Sequence, residues 1–96
     1  MAKYILLVNW TEQGVKNVKD SPKRLDAARK AAETAGAKLG DFYMTMGGYD
    51  MVVHADAPDD ATVARFVLNL AGAGNVRTQT LKAFSEDEYR KILGAL

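Results

Sequence analysis

The stretch Met44-Thr45-Met46-Gly47-Gly48-Tyr49-Asp50-Met51-Val52-Val53 decides how this chain folds. Two alternating runs flank a Gly-Gly pair, and glycine tolerates the positive φ that a tight hairpin turn needs. With Gly47 and Gly48 as a two-residue turn, Met46 faces Tyr49, Met44 faces Met51 and Phe42 faces Val53. These six side chains share one face, the one expected to meet the helices. The opposite face receives Tyr43, Thr45, Asp50, Val52 and His54, a mixture too apolar for solvent and too polar for a core.

Working outward, the hairpin is expected over residues 37–46 and 49–56. Before it, Tyr4 to Val8 is a continuous apolar run, the pattern of a strand covered on both faces. Thr11 is placed to cap a helix over Glu12 to Lys19. Ser21 as N-cap and Pro22 at the first helical position start a longer helix through Leu25, Ala28, Ala32 and Ala35, which Gly36 ends. After the hairpin, Pro58-Asp59-Asp60 opens a helix with Val63, Phe66, Val67 and Leu70 on one face. Asn75 to Phe84 reads as a fourth strand. Ser85-Glu86-Asp87-Glu88 is a capping box for a short last helix, with Tyr89, Ile92, Leu93 and Leu96 expected to face inward. The order is βαββαβ plus one helix: an α+β sandwich with a four-stranded antiparallel sheet, expected to be a single domain over residues 1–96.

Composition narrows the function. A net charge of +1 with both signs interspersed argues against a nucleic-acid binder, which carries a strongly basic face. The third strand, Met51-Val52-Val53-His54-Ala55-Asp56, also lacks the aromatic platform of an RNA-recognition module of the same topology. With no cysteine, disulfides, zinc–thiolate sites and thiol catalysis are excluded. No run is long enough to span a membrane and no signal-peptide pattern is present, so a cytoplasmic location is expected. No metal or other cofactor is expected. An open sheet face with an apolar centre must be covered, and a second copy of the chain is the expected cover.

The Gly48-Tyr49-Asp50 triplet after Gly47 resembles the signature of the GYD-domain family. Asp20-Ser21-Pro22-Lys23-Arg24-Leu25, Asp41-Phe42-Tyr43, Gly74-Asn75-Val76-Arg77-Thr78-Gln79-Thr80-Leu81 and Phe84 also agree with that family's pattern, over nearly the whole chain. The resemblance implies a ferredoxin-like fold related to the dimeric α/β barrels, and it carries no catalytic residues with it. The Gly-x-Tyr-Asp hairpin is also similar to the effector-binding domains of leucine-responsive transcription regulators. Those domains assemble through their sheets and hold small metabolites between subunits; the helix-turn-helix that accompanies them is expected to be missing here.

Candidate ligand-binding residues follow from the mixed face and the strand ends: Asn9, Trp10, Tyr43, Thr45, Asp50, His54 and Arg77. His54 is the one histidine; it suits acid–base work, but a metal site needs partners it lacks. Asp50 stands either to bind a ligand amine or to satisfy amides of the turn. Asp50 and His54 are about 13 Å apart along a strand, too far for a hydrogen-bonded dyad. Asn9, Trp10, Tyr43 and Arg77 offer an aromatic wall, an amide and a fixed cation, a set resembling in residue type the cofactor-free oxygenases of the dimeric α/β-barrel group. The plainer reading makes Trp10 a buried anchor and Asn9 a strand-end residue. Ser21, Lys23 and Arg24 mark a helix start that favours an anion, or a solvated charged helix end. Three functions stay open: an oligomeric small-metabolite-binding or accessory module with its ligand between sheets, a cofactor-independent oxygenase or isomerase, and a scaffold oligomer with no ligand.

Overall fold

The computed structural model describes residues 1–96. Its order is β1 (Ala2–Trp10), α1 (Glu12–Lys16), α2 (Ser21–Thr34), β2 (Lys38–Met44), β3 (Met51–Ala57), α3 (Asp60–Gly72), β4 (Val76–Ala83) and α4 (Glu86–Gly94). The expected first helix is shorter than its pattern: α1 stops at Lys16 and a 3₁₀ turn, Val18–Asp20, leads into α2. The four strands form one antiparallel sheet in the order β2-β3-β1-β4.

The register is the one that the alternating runs set, with Phe42 opposite Val53 and Met44 opposite Met51. Leu39 pairs with Ala55, so Gly40 and Asp41 together oppose His54 and form a bulge. That extra residue keeps Leu39 and Phe42 on one face although they lie an odd number of positions apart. The core is built on this face: Tyr4, Leu6 and Val8 of β1, Met51, Val53, Ala55 and Ala57 of β3, and Leu39 of β2. Ala28 and Ala32 of α2 and Val63 and Phe66 of α3 cover it. Alanine at i and i+4 lets α2 lie close to the sheet, while Phe66 fills the space under α3.

Four expectations change. Gly47-Gly48 is not a two-residue turn; β2 ends at Met44 and β3 begins at Met51, so residues 45–50 form a loop. Thr45 N–H donates to the Asp50 carbonyl at 2.8 Å and closes it. Of the two glycines, only Gly47 has positive φ, at 145°. Met46 is 93% exposed, and the Tyr49 hydroxyl donates to Gln79 on the far face, so neither joins the core.

β1 is covered on one face only: Ile5 and Leu7 point away from the helices and stay half-buried. The last helix has its capping box, but Tyr89, Ile92, Leu93 and Leu96 face outward. The Cα radius of gyration is 14.3 Å. A compact chain of this length gives about 12.5 Å, and the projecting α4 lengthens the molecule.

Candidate functional site

The open face of the sheet has an apolar centre of Ile5 and Leu7 from β1, Val52 from β3 and Leu81 from β4. Register fixes this: Leu7 lies between Val52 and Gln79, and Ile5 between His54 and Leu81. At one end of the face stand Tyr49, Gln79 and Arg77. At the other, Lys3 and Asp56 pair at 3.2 Å. Along the β2 side, Tyr43 and His54 meet edge to face with ring centroids 6.3 Å apart. The bulge swings Asp41 toward His54, with Oδ2 3.9 Å from Nδ1, a loose contact between two solvent-exposed groups.

The candidate residues do not gather in one pocket. Asn9 and Asp50 lock the loop to the end of β1. The Asp50 N–H donates to Asn9 Oδ1 at 3.0 Å, Asn9 Nδ2 donates to the Gly48 carbonyl at 3.3 Å, and Asp50 Oδ2 accepts from the Trp10 N–H at 3.0 Å. Asp50 therefore satisfies a backbone amide, though one on β1 and not in its own turn. Thr45 donates its hydroxyl to the Tyr49 carbonyl. Trp10 turns to the helix side, where its indole N–H donates to Ser21 Oγ at 3.3 Å. Arg77 sits across from Asn9 on β4 and is exposed. The structure thus joins Tyr43 with His54, and Asn9 with Asp50 and the Trp10 backbone, and turns the Trp10 indole away from both.

The anion candidates also disperse. Ser21 is the first residue of α2, not its N-cap, and its hydroxyl already accepts from Trp10. Arg24 donates to the carbonyls of Asn17 at 3.0 Å and Gly14 at 3.2 Å, tying α2 to α1. Lys23 alone points to solvent.

Gln79, Tyr49 and Asp41 belong to the open face and escaped the sequence reading. Gln79 was visible in the alternation Arg77-Gln79-Leu81. Tyr49 was hidden by the assumption of a tight turn, and Asp41 by the bulge, which no alternating pattern reveals.

Two hollows lie away from this face. One, of about 470 Å³, separates α2 from α3 and is lined mainly by Ala27, Ala31, Ala35, Phe66 and Leu70. The other, about 350 Å³, lies between the start of α2 and β2, among Trp10, Val18, Pro22, Leu25, Phe42 and Met44. No group of three or more His, Asp or Glu side chains is arranged to hold a metal ion.

Three ionisable groups with perturbed titration serve the fold. The Tyr4 hydroxyl donates to Asp60, whose carboxylate together with burial pushes the phenol up to about 12. Asp59 caps α3 by accepting from the Thr62 hydroxyl and N–H at 2.7 and 2.8 Å, which lowers its carboxyl pKa. Glu88 accepts from the Ser85 N–H at 2.9 Å and is lowered likewise.

A four-stranded antiparallel sheet with helices on one face defines a ferredoxin-like domain, and solved structures agree. The feast or famine regulatory protein of Mycobacterium tuberculosis, complexed with L-methionine, superposes with a TM-score of 0.68 at 13% identity, over 88% of this chain and 51% of that one. The leucine response regulatory protein of the same organism gives 0.66 at 13% identity, over 88% and 51%. This chain thus spans about half the length of those regulators, and the likeness establishes the fold alone. The chain belongs to the GYD domain family, whose model matches residues 4–93. It is similar to the glutamine synthetase and cystathionine beta-lyase binding protein of Thermus thermophilus, at 36% identity over 84 residues, covering 86% of this chain and 88% of that protein. No helix is long and apolar enough to cross a membrane.

Proposed function

We propose that the protein is an accessory binding module: copies stack through their open sheet faces, hold a small amino-acid-like metabolite between them, and the assembly docks on an enzyme of amino-acid metabolism. One observation carries the reading. The apolar centre of Ile5, Leu7, Val52 and Leu81 is bordered by hydrogen-bonding and charged groups from Tyr43, His54, Gln79 and Arg77. Such a surface suits self-association with a polar ligand at its margin. The relative named for binding glutamine synthetase and cystathionine beta-lyase supports the docking part, and the L-methionine complex of the same fold supports the ligand class. An enzyme is the weaker reading, because the Asn9 and Asp50 side chains are engaged in holding the backbone and the Trp10 indole is bonded to Ser21 on the helix side, away from the open face.

The test is a thermal-shift and calorimetric series with amino acids, L-methionine and L-glutamine included, on wild type and Val52→Arg. One ligand at 100 times its Kd stabilises the wild type by about 2.7 kcal/mol. Val52→Arg, folded by circular dichroism, loses both the shift and the self-association. Sedimentation with the organism's own glutamine synthetase shows co-migration of wild type. Absence of any ligand shift together with no co-migration contradicts the proposal.

A further inference from the structure

The bulge in β2 opens a hollow at the Lys3 end of the open sheet face. It holds about 360 Å³ among Lys3, Ile5, Lys38, Asp41, His54 and Asp56. Small-ligand sites run from about 300 to 1,000 Å³, so this one suits a small occupant.

Gly40 makes the hollow. It lies inside β2, where glycine weakens a strand. Its backbone does not call for glycine, because its φ is not positive. Nor would a Cβ clash: the nearest atoms would be His54 Cβ and the His54 carbonyl oxygen, both at 3.7 Å, ordinary contact. Neither conformation nor packing within the chain explains the missing side chain. A strand glycine of this kind marks the close approach of something else, such as a ligand.

The rim of the hollow is fixed from behind. Arg29 on α2 donates from Nη1 to the carbonyls of Leu39 at 2.9 Å and Gly40 at 3.1 Å. It pins the backbone that carries Gly40 and Asp41, so the rim is set before any ligand arrives. The bulge also re-aims a side chain. In plain alternation Asp41 would follow Leu39 toward the helices; the extra residue turns its carboxylate beside His54.

Two opposite charges flank the gap without a close partner. Lys38 forms no ion pair, since Asp56, its cross-strand neighbour, is taken by Lys3 at 3.2 Å. Asp41 has only the 3.9 Å contact with His54. The two stand on either side of Gly40 in the same strand. A purely anionic ligand would satisfy Lys38 and be opposed by Asp41, and a purely cationic one the reverse. A zwitterion satisfies both. Ile5 supplies an apolar floor beside them.

We infer that this hollow is the site of a free α-amino acid, its carboxylate on Lys38, its ammonium on Asp41 and its Cα in the gap over Gly40, with the His54 ring as one wall. The inference rests on the ligand class proposed above. It places that ligand at the His54 end of the face, away from Arg77.

Calorimetric titration of tag-free protein with each standard L-amino acid tests it. At least one binds. The deaminated acid and the α-carboxamide of that amino acid, each lacking one charge, bind about 10-fold more weakly or worse. Lys38→Met and Asp41→Asn weaken binding to a similar degree. Gly40→Val, which fills the gap while circular dichroism shows the fold intact, abolishes it. His54 is the one histidine, so its imidazole signals in NMR report on the hollow and shift on saturation. An amino acid that binds all three variants as it binds wild type, with the His54 signals unmoved, overturns the site and leaves the ligand class standing. Equal binding of the deaminated acid or of the α-carboxamide overturns the zwitterion. No binding by any amino acid overturns the site and the ligand class together.

Discussion

Helices α3 and α4 carry the same local signals and end in different surroundings. Each starts at a side-chain cap, Asp59 for α3 and Ser85 for α4, and each shows an apolar stripe at helical spacing. In α3, Val63 and Phe66 are buried against the sheet. In α4 the stripe is open to solvent. The difference is place in the chain. α3 connects β3 to β4 and must return across the sheet, so its stripe meets the core face. α4 follows the edge strand β4, after both helix positions over the sheet are filled. A stripe in the sequence states that a helix needs a partner; topology decides whether its own chain supplies one.

The largest expected contrast is between Phe66→Ala and Ile92→Ala. The first opens a cavity under α3 and lowers unfolding free energy by about 3–5 kcal/mol in urea. The second changes it by less than about 0.5 kcal/mol. Equal losses would mean that α4 is packed on its own body.

Next is Gly14, a position that no sequence pattern singled out. A Cβ there would lie 1.9 Å from the Asn75 carbonyl oxygen, because α1 presses on the loop before β4. Gly14→Ala is expected to cost about 3 kcal/mol by chemical denaturation, since backbone must move.

The hairpin loop gives a smaller effect. Gly47→Val is expected to cost about 1–3 kcal/mol for a strained φ, whereas Gly48→Val, with ordinary φ, costs little. Thermal melts of the pair distinguish this loop from a two-residue turn, in which both would suffer.

The smallest effects are in pH. The Tyr4 phenol is raised from 10.0 to about 12 by Asp60, so the folded state holds its proton more tightly. That stability is complete below pH 10 and is lost as pH rises toward 12. The alkaline fall in melting temperature is expected to be shallower in Tyr4→Phe. Glu88 is lowered instead, so its contribution is present above the ordinary glutamate range and lost as pH falls through it. Because α4 stands apart, that loss should appear in hydrogen exchange of residues 86–94 and leave the global melt unchanged.

The succession of strands and helices, the pairing of Phe42 with Val53 and Met44 with Met51, both long helices and the Ser85 capping box were legible in the sequence, because each rests on local alternation, spacing or a cap. The Gly40–Asp41 bulge was not, since the extra residue shows only against its partner strand. The direction of the Trp10 indole was not legible either, as it depends on the 3₁₀ turn that brings Ser21 within reach. Among the candidate residues, the sequence located Tyr43 and His54 on the open face. It could not show that the Asn9 side chain holds the Asp50 backbone and the Asp50 carboxylate the Trp10 backbone, because those contacts join residues about forty positions apart.

The central claim is that the open sheet face is an interface with a ligand at its margin. Native mass spectrometry of gently purified protein at micromolar concentration tests it most directly. The expected result is an even-numbered assembly that carries extra mass of amino-acid size and becomes monomeric and empty in Val52→Arg. A wild-type monomer with no added mass would contradict it.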